Sequence, residues 1–118
     1  MPRVTRGTKG RRRRNRILSK AKGFVGGRKL YRAGRETIEK GLTYAYRDRK
    51  VRKREFRQLW IVRINAAARA EGLTYGTLIH GLKQAGVEVD RKMLAEMAVN
   101  EQAAFVELVN LAKSKLAA

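Results

Sequence analysis

Residues 37–71 read TIEKGLTYAYRDRKVRKREFRQLWIVRINAAARAE, and the architecture turns on this stretch. It holds no proline and a single glycine, Gly41, and it is rich in Arg, Lys, Ala, Leu and Glu. Such side chains lose little rotamer freedom in a helix. A glycine inside a helix costs roughly 1 kcal/mol relative to alanine, which a long element tolerates at Gly34 and Gly41. The composition predicts one long helix that starts at about residue 30 to 37 and ends near Glu71, with Gly72 as its stop. Thirty-five helical residues would extend ~50 Å. That is longer than a domain of about 60 residues is wide, so the first half is expected to project. The second half is expected to join a core, because Phe56, Trp60, Ile64 and Ala67 share one face.

Downstream, apolar residues keep helical spacing. Thr74 is placed to cap a helix with Tyr75, Leu78, Ile79 and Leu82 turned inward, ended by Gly86. Asp90 is placed to cap another bearing Met93, Leu94 and Met97, and Asn100 a last one. In that last helix Phe105, Leu108, Val109, Ala112 and Leu116 follow the i, i+3, i+4, i+7 pattern. Val87-Glu88-Val89 alternates but is too short for a sheet strand. Upstream, residues 1–27 carry Pro2 and five glycines around Arg11-Arg12-Arg13-Arg14. One short helix is expected there, near Arg11 to Lys22, once a polyanion neutralises its charge. Gly23-Phe24-Val25-Gly26-Gly27 reads as a turn.

Charge divides the chain more sharply than hydropathy. The 118 residues carry 29 Lys and Arg against 10 Asp and Glu, a net +19. Residues 1–60 hold 22 of those cations and 4 acids, whereas residues 61–118 hold 7 and 6. The fold class is therefore read as all-α. A basic extension, residues 1–58, is expected to precede a compact helical domain, residues 59–118. A core of that size buries only ~60% of its unfolded surface, which is marginal but feasible. The extension cannot offset its own ordering entropy, so its first part is expected to be disordered without a partner.

An excess of +19 on so short a chain points to a polyanion, nucleic acid before anionic membrane. The absence of cysteine excludes disulfides and thiolate metal sites. Met1-Pro2-Arg3-Val4 leads into further arginines, unlike a secretory signal. The longest apolar run, Leu59-Trp60-Ile61-Val62, is too short to span a bilayer. A soluble cytoplasmic protein is expected, with no membrane partner and no homo-oligomer.

The strongest signal is a basic block interleaved with aromatics. The residues expected on RNA begin with Arg3, Arg6, Lys9, Arg11, Arg12, Arg13, Arg14, Arg16, Lys20, Lys22, Arg28 and Lys29. They continue through Tyr31, Arg32, Arg35, Tyr44, Tyr46, Arg47, Arg49, Lys50, Arg52, Lys53, Arg54 and Arg57 to Arg63 and Arg69. On a helix, the run from 47 to 57 is dense enough to set guanidinium groups on every face, as a helix threaded between RNA strands requires. Arginine suits this role because its fork pairs with phosphate and its plane stacks on bases. The bland alternative, a solvated charge run, does not call for such density. On charge alone, Lys83, Arg91, Lys92, Lys113 and Lys115 could add contacts from the second half. The expected core is Phe56, Trp60, Ile64, Leu78, Ile79, Leu82, Leu94, Met97, Phe105, Leu108, Val109 and Ala112. Trp60 could instead stack on a base, but its spacing from Phe56 and Ile64 favours the interior.

No catalytic arrangement emerges. His80 is the sole histidine and has no second metal ligand near it in sequence. Ser19 and Ser114 lack a His and carboxylate to form a triad. The glycine segments lack the Gly-Lys-Ser/Thr ending of a phosphate loop. Glu36 and Glu39 offset local charge. No enzyme, cofactor or metal is expected.

These residues resemble a known family. Met1-Pro2-Arg3-Val4 with the Arg11 to Arg16 block, Lys20-Ala21-Lys22-Gly23, and Tyr44-Ala45-Tyr46-Arg47-Asp48-Arg49 are similar to the bacterial large-subunit ribosomal proteins numbered twenty. The most specific segment runs from Lys53 to Arg69, with Lys53, Arg57, Trp60, Arg63, Asn65 and Arg69 at the matching positions. The likeness covers the whole chain. It implies a helical extension buried in 23S ribosomal RNA, an all-α C-terminal domain, and a role in assembly of the 50S subunit rather than in catalysis. It also implies neighbouring large-subunit proteins as partners. In some members the C-terminal domain binds the protein's own messenger and represses its translation. The rivals are a nucleoid-type condensing protein, which would bind duplex DNA as well, and a cationic membrane-active protein. The latter needs a sustained apolar face, which residues 1–55 lack.

Overall fold

The computed structural model describes residues 2–5, 7–27 and 29–117. Its elements are five α-helices: α1 (Lys9–Lys20), α2 (Tyr31–Ala70), α3 (Tyr75–Gln84), α4 (Arg91–Asn100) and α5 (Gln102–Leu116). Among the described residues there is no β-strand, and Val87 to Val89 form a connection. No helix is long and apolar enough to cross a membrane among those residues. The chain divides into two compact units, Met1–Lys50 and Val51–Ala118.

In the first unit, α1 begins two residues earlier than the composition suggests and ends at Lys20. Its first turn carries no acid and its N-cap, Thr8, makes no side-chain cap bond. Lys9 and Arg13, and Arg12 and Arg16, stand four apart, so like charges repel along the helix. None of its residues is fully buried. A turn closed by Gly23 at φ +87° leads towards α2, whose first residues include the buried Gly34 and the half-buried Tyr31, Thr37 and Ile38. The hydroxyls of Thr37 and Thr43 donate to the carbonyls four residues back, at 2.8 and 3.0 Å, and so cost the helix no unpaired polar group.

The second unit is built around the end of α2. Ile64 and Ala68 are fully buried, with Leu78, Leu82, Leu94, Ala95, Phe105, Val109 and Ala112 around them. Trp60, Ala67, Tyr75, Ile79, Met97 and Leu108 are half-buried against this cluster. α5 packs on both α3 and α4. The closest approach is at Gly81, where an added Cβ would lie 2.8 Å from the Ala112 carbonyl oxygen. Both stops expected at glycine follow one design. Gly72 (φ +82°) and Gly86 (φ +71°) adopt the left-handed conformation that favours glycine. The next residue closes a six-residue loop in each case, Leu73 N–H to Ala68 O at 2.9 Å and Val87 N–H to Leu82 O at 3.0 Å. Thr74 caps α3 in a reciprocal box with Thr77, and the Asp90 carboxylate accepts from Met93 N–H at 2.7 Å.

Four expectations need correction. Phe56 is 48% exposed, its ring tilted 47° to that of Trp60 at 6.3 Å, because the core closes around α2 only from Trp60 onward. Met93 is 52% exposed and Leu116 is 38% exposed. Leu94 and Ala95 take the inward face of α4 instead, and α5 ends at Leu116, where its packing runs out. Asn100 is the last residue of α4 rather than the cap of α5; Glu101 holds that position without a side-chain bond. The Asn100 amide donates back to Glu96, so it is committed to its own helix.

Candidate nucleic-acid interface

The first fact about the basic residues is how few meet an acid. Among the described residues there are two ion pairs, Arg35 Nε–Glu39 Oε1 and Arg47 Nε–Asp48 Oδ1, both at 2.7 Å and both solvent-exposed. The Glu39 hydrogen bond raises Arg35 above the ordinary arginine value. The Asp48 bond does the same for Arg47, and the Arg47 hydrogen bond holds the Asp48 carboxyl below the usual aspartate range. Every other described cation of the arm is exposed and carries no ion pair: Arg3, Lys9, Arg11 to Arg14, Arg16, Lys20, Lys22, Lys29, Arg32, Lys40, Arg49, Lys50, Arg52, Lys53, Arg54 and Arg57. Arg6 and Arg28 lie outside the described residues.

Tyrosines sit among these cations as expected, but their arrangement is more specific than the sequence suggests. The Arg14 guanidinium lies 5.5 Å from the centre of the Tyr31 ring, which joins α1 to the start of α2. Tyr44 has Lys40 at 5.9 Å and Arg47 at 4.8 Å from its ring centre. Tyr46 has Arg49 at 6.0 Å and Lys50 at 4.7 Å. Cation and ring face attract through the ring quadrupole. Each ring therefore has cationic groups beside it; Tyr31 is half-buried, whereas Tyr44 and Tyr46 remain 44% and 60% exposed. Lys40 belongs to this set although its place in the sequence did not single it out.

The cations do not cover every face of α2. At about 100° per residue, Arg47, Arg49, Lys50, Arg52, Lys53, Arg54 and Arg57 leave open a sector of about 140°. Asp48, Val51 and Glu55 occupy that sector. Over the run from 47 to 57 the helix is basic on most of its circumference, and one side is not.

In the second unit, Arg63 and Arg69 are exposed on α2, as are Lys83, Lys92 and Lys115 elsewhere. Arg91 is half-buried and committed to the fold, because its Nε donates to the Tyr75 hydroxyl at 2.8 Å. Tyr75 N–H in turn donates to Asn65 Oδ1 at 3.3 Å. Asn65 therefore ties α2 to the first residue of α3, an internal task that accounts for its type without a ligand. His80 pairs its ring nitrogen with the Gln84 amide at 3.1 Å on an exposed helix face. No group of three His, Cys, Asp or Glu residues that could hold a metal occurs among the described residues.

What this arrangement can do is neutralise polyanion charge over two helices and offer aromatic faces beside it. Comparison with known proteins names the family. Residues 3–108 match the family model described as ribosomal protein L20. The large ribosomal subunit protein bL20 of Geobacter sulfurreducens is 60% identical over 116 residues, 98% of this chain and 99% of that one. The proteins of the same name from Geotalea daltonii and Natranaerobius thermophilus are each 58% identical, over 97% and 98% of this chain and 98% and 100% of theirs. A full-length match at this identity, on a chain with this charge and these helices, leaves one conclusion: the chain belongs to the ribosomal protein L20 family.

Proposed function

We propose that this chain is a structural protein of the bacterial large ribosomal subunit that binds 23S ribosomal RNA directly and promotes 50S assembly. Its relatives carry the name of a large-subunit protein, and the family is structural rather than enzymatic. On this reading the protein works on the ribosome in the bacterial cytoplasm, with other large-subunit proteins as its neighbours. The observation that supports direct RNA binding is the set of exposed arm cations left without acidic partners. In α1, repulsion between neighbouring charges opposes the helix until phosphates neutralise it, so ordering of the arm and binding are coupled. The ion-pair-free cations then hold together RNA segments that would otherwise repel. The C-terminal unit forms its core without the arm, and its exposed Arg63, Arg69, Lys83 and Lys92 support a second RNA contact there. By family likeness, the chain's own messenger is proposed as an alternative ligand of that unit.

The test is binding of the full chain to a 23S ribosomal RNA transcript across a salt series, with duplex DNA as competitor. RNA binding should be saturable and should resist the competitor. Replacing Arg11, Arg12, Arg13 and Arg14 with Gln should reduce the steepness of the log–log salt dependence by about 3 to 4. Equal affinity for DNA and RNA at every salt concentration would overturn the reading in favour of a condensing protein.

A further inference from the structure

Where α1 ends, the chain forms a cleft that neither a core nor an ion pair explains. It measures about 610 Å³ and lies wholly within the first unit. Leu18 and Ala21 supply apolar surface, and Ala21 is 5% exposed, so that side is formed by the fold itself. Phe24 lines the cleft and is 54% exposed. Asn15, Ser19, Lys22 and Lys29 add polar groups, and all four are exposed. None of the residues lining it is acidic.

Phe24 is the unexpected member. A large aromatic in a strongly basic, apolar-poor arm has no core to enter, yet it is not left to a loose loop. Its N–H donates to the Ala21 carbonyl at 3.4 Å, and glycines with φ of +87° and +92° stand one residue before it and two after it. Left-handed backbone on both sides of Phe24-Val25 is cheap only for glycine, so the sequence accepts the entropic cost of Gly23 and Gly26 to hold this bend. The outcome is an exposed aromatic residue lining a cleft whose other side chains are aliphatic, hydroxyl, amide and ammonium.

That combination is the chemistry of a nucleotide. An unstacked base needs an aromatic or apolar face and a group that can both donate and accept at its edge. Its flanking phosphates need cations. Asn15 carries donor and acceptor on one side chain, and Lys22 and Lys29 carry the charge. The volume falls within the range that holds a small organic ligand. A protein segment without carboxylates would leave the two ammonium groups without counter-charge.

We propose that this cleft receives a single unpaired base of the ribosomal RNA, stacked on Phe24, with the adjacent phosphates on Lys22 and Lys29. The proposal rests on the RNA-binding function argued above and goes beyond phosphate neutralisation, because it assigns to the arm a contact that a uniform polyanion cannot satisfy.

The experiment uses the full chain with the 23S ribosomal RNA transcript and three variants, F24A, F24L and F24Y. Loss of a stacked base by alanine should weaken binding about 5- to 150-fold. The salt slope should stay at the wild-type value, since no charge is removed. F24Y should restore affinity and F24L should not, because leucine replaces the apolar volume but not the π-face. A second readout is the emission of F24W compared with that of the wild-type chain. Quenching of the added tryptophan on binding is expected from base stacking. F24A binding like wild type, F24L rescuing as well as F24Y, or unquenched emission from the tryptophan added in F24W would each overturn the base site. A wild-type chain that fails to bind the transcript in the presence of duplex DNA would instead bring down the functional reading beneath it, so the two failures are told apart.

Discussion

Asp48 sits among arginines, and its behaviour follows from one bond. Arg47 Nε donates to its carboxylate at 2.7 Å, which favours the charged form and holds the carboxyl below the usual aspartate range. Because the folded value is depressed, the pair's contribution is present above the ordinary carboxyl range. It is lost as pH falls through the depressed value, below about pH 4. Arg47 is raised by the same bond and stays charged throughout. An NMR titration should show Asp48 protonating at lower pH than an unpaired aspartate, and R47Q should return it towards the ordinary value. An unchanged Asp48 titration in R47Q would show that the bond does not form in solution. Asn65 illustrates the same lesson in the second unit. It matches the family pattern, yet its oxygen accepts from Tyr75 N–H, so N65A should loosen the α2–α3 corner before it affects RNA contact.

At the level of elements, the contact between α3 and α5 depends on the lack of a side chain at Gly81. A Cβ there would meet the Ala112 carbonyl oxygen at 2.8 Å and the Ala112 Cβ at 2.9 Å, and backbone cannot move aside as a flexible side chain would. G81A should therefore destabilise the second unit by about 1–3 kcal/mol despite the better helix propensity of alanine. Gly76, on the same helix, has nothing within 4 Å of its Cβ position. G76A should be neutral or stabilise by up to about 1 kcal/mol. Thermal or urea unfolding of both variants checks the contrast; equal effects would mean that α3 and α5 are not packed this closely. α4 adds a further case, since the Asp90 carboxylate caps it through Met93 N–H. D90A should cost about 0.5–2 kcal/mol by the same measurement.

For the molecule as a whole, burial and charge are kept apart. The buried cluster lies in the second unit and most of the exposed cations without ion pairs lie between residues 3 and 57, so stability and RNA affinity should respond to different substitutions. Phe105 is 1% exposed at the centre of the cluster. F105A should cost about 3–5 kcal/mol. A unit of this size has on the order of 3–10 kcal/mol to lose, so the cooperative unfolding transition should weaken greatly or vanish. Replacement of Arg11 to Arg14 with Gln should leave that transition in place while flattening the salt dependence of RNA binding. A melting transition lost in the arginine variant would contradict this separation.

How much of this was legible in the chain differs by feature. Local signals carried the elements. The proline-free stretch to Glu71, the glycines at 72 and 86 and the caps at Thr74 and Asp90 act over a few residues, so their effects can be read without the fold. Charge partition is likewise a property of the sequence, as is the excess of cations over the few acids able to pair with them. The resemblance at Lys53 to Arg69 carried the family. Tertiary structure decided the rest. Phe56 shares a helical face with Ile64, but periodicity gives direction and not distance, and the core closes around the helix only from Trp60 on. Asn100 had the chemistry of a cap, but where α4 stopped determined that its amide was already engaged. Arg91 looked like any surface cation until Tyr75 was seen to lie beside it. The cleft around Phe24 depends on which side chains neighbour one another in space. The sequence by itself determined the helices, their charge and the family, because those follow from short-range chemistry. Only the fold decided which residues are left facing outward.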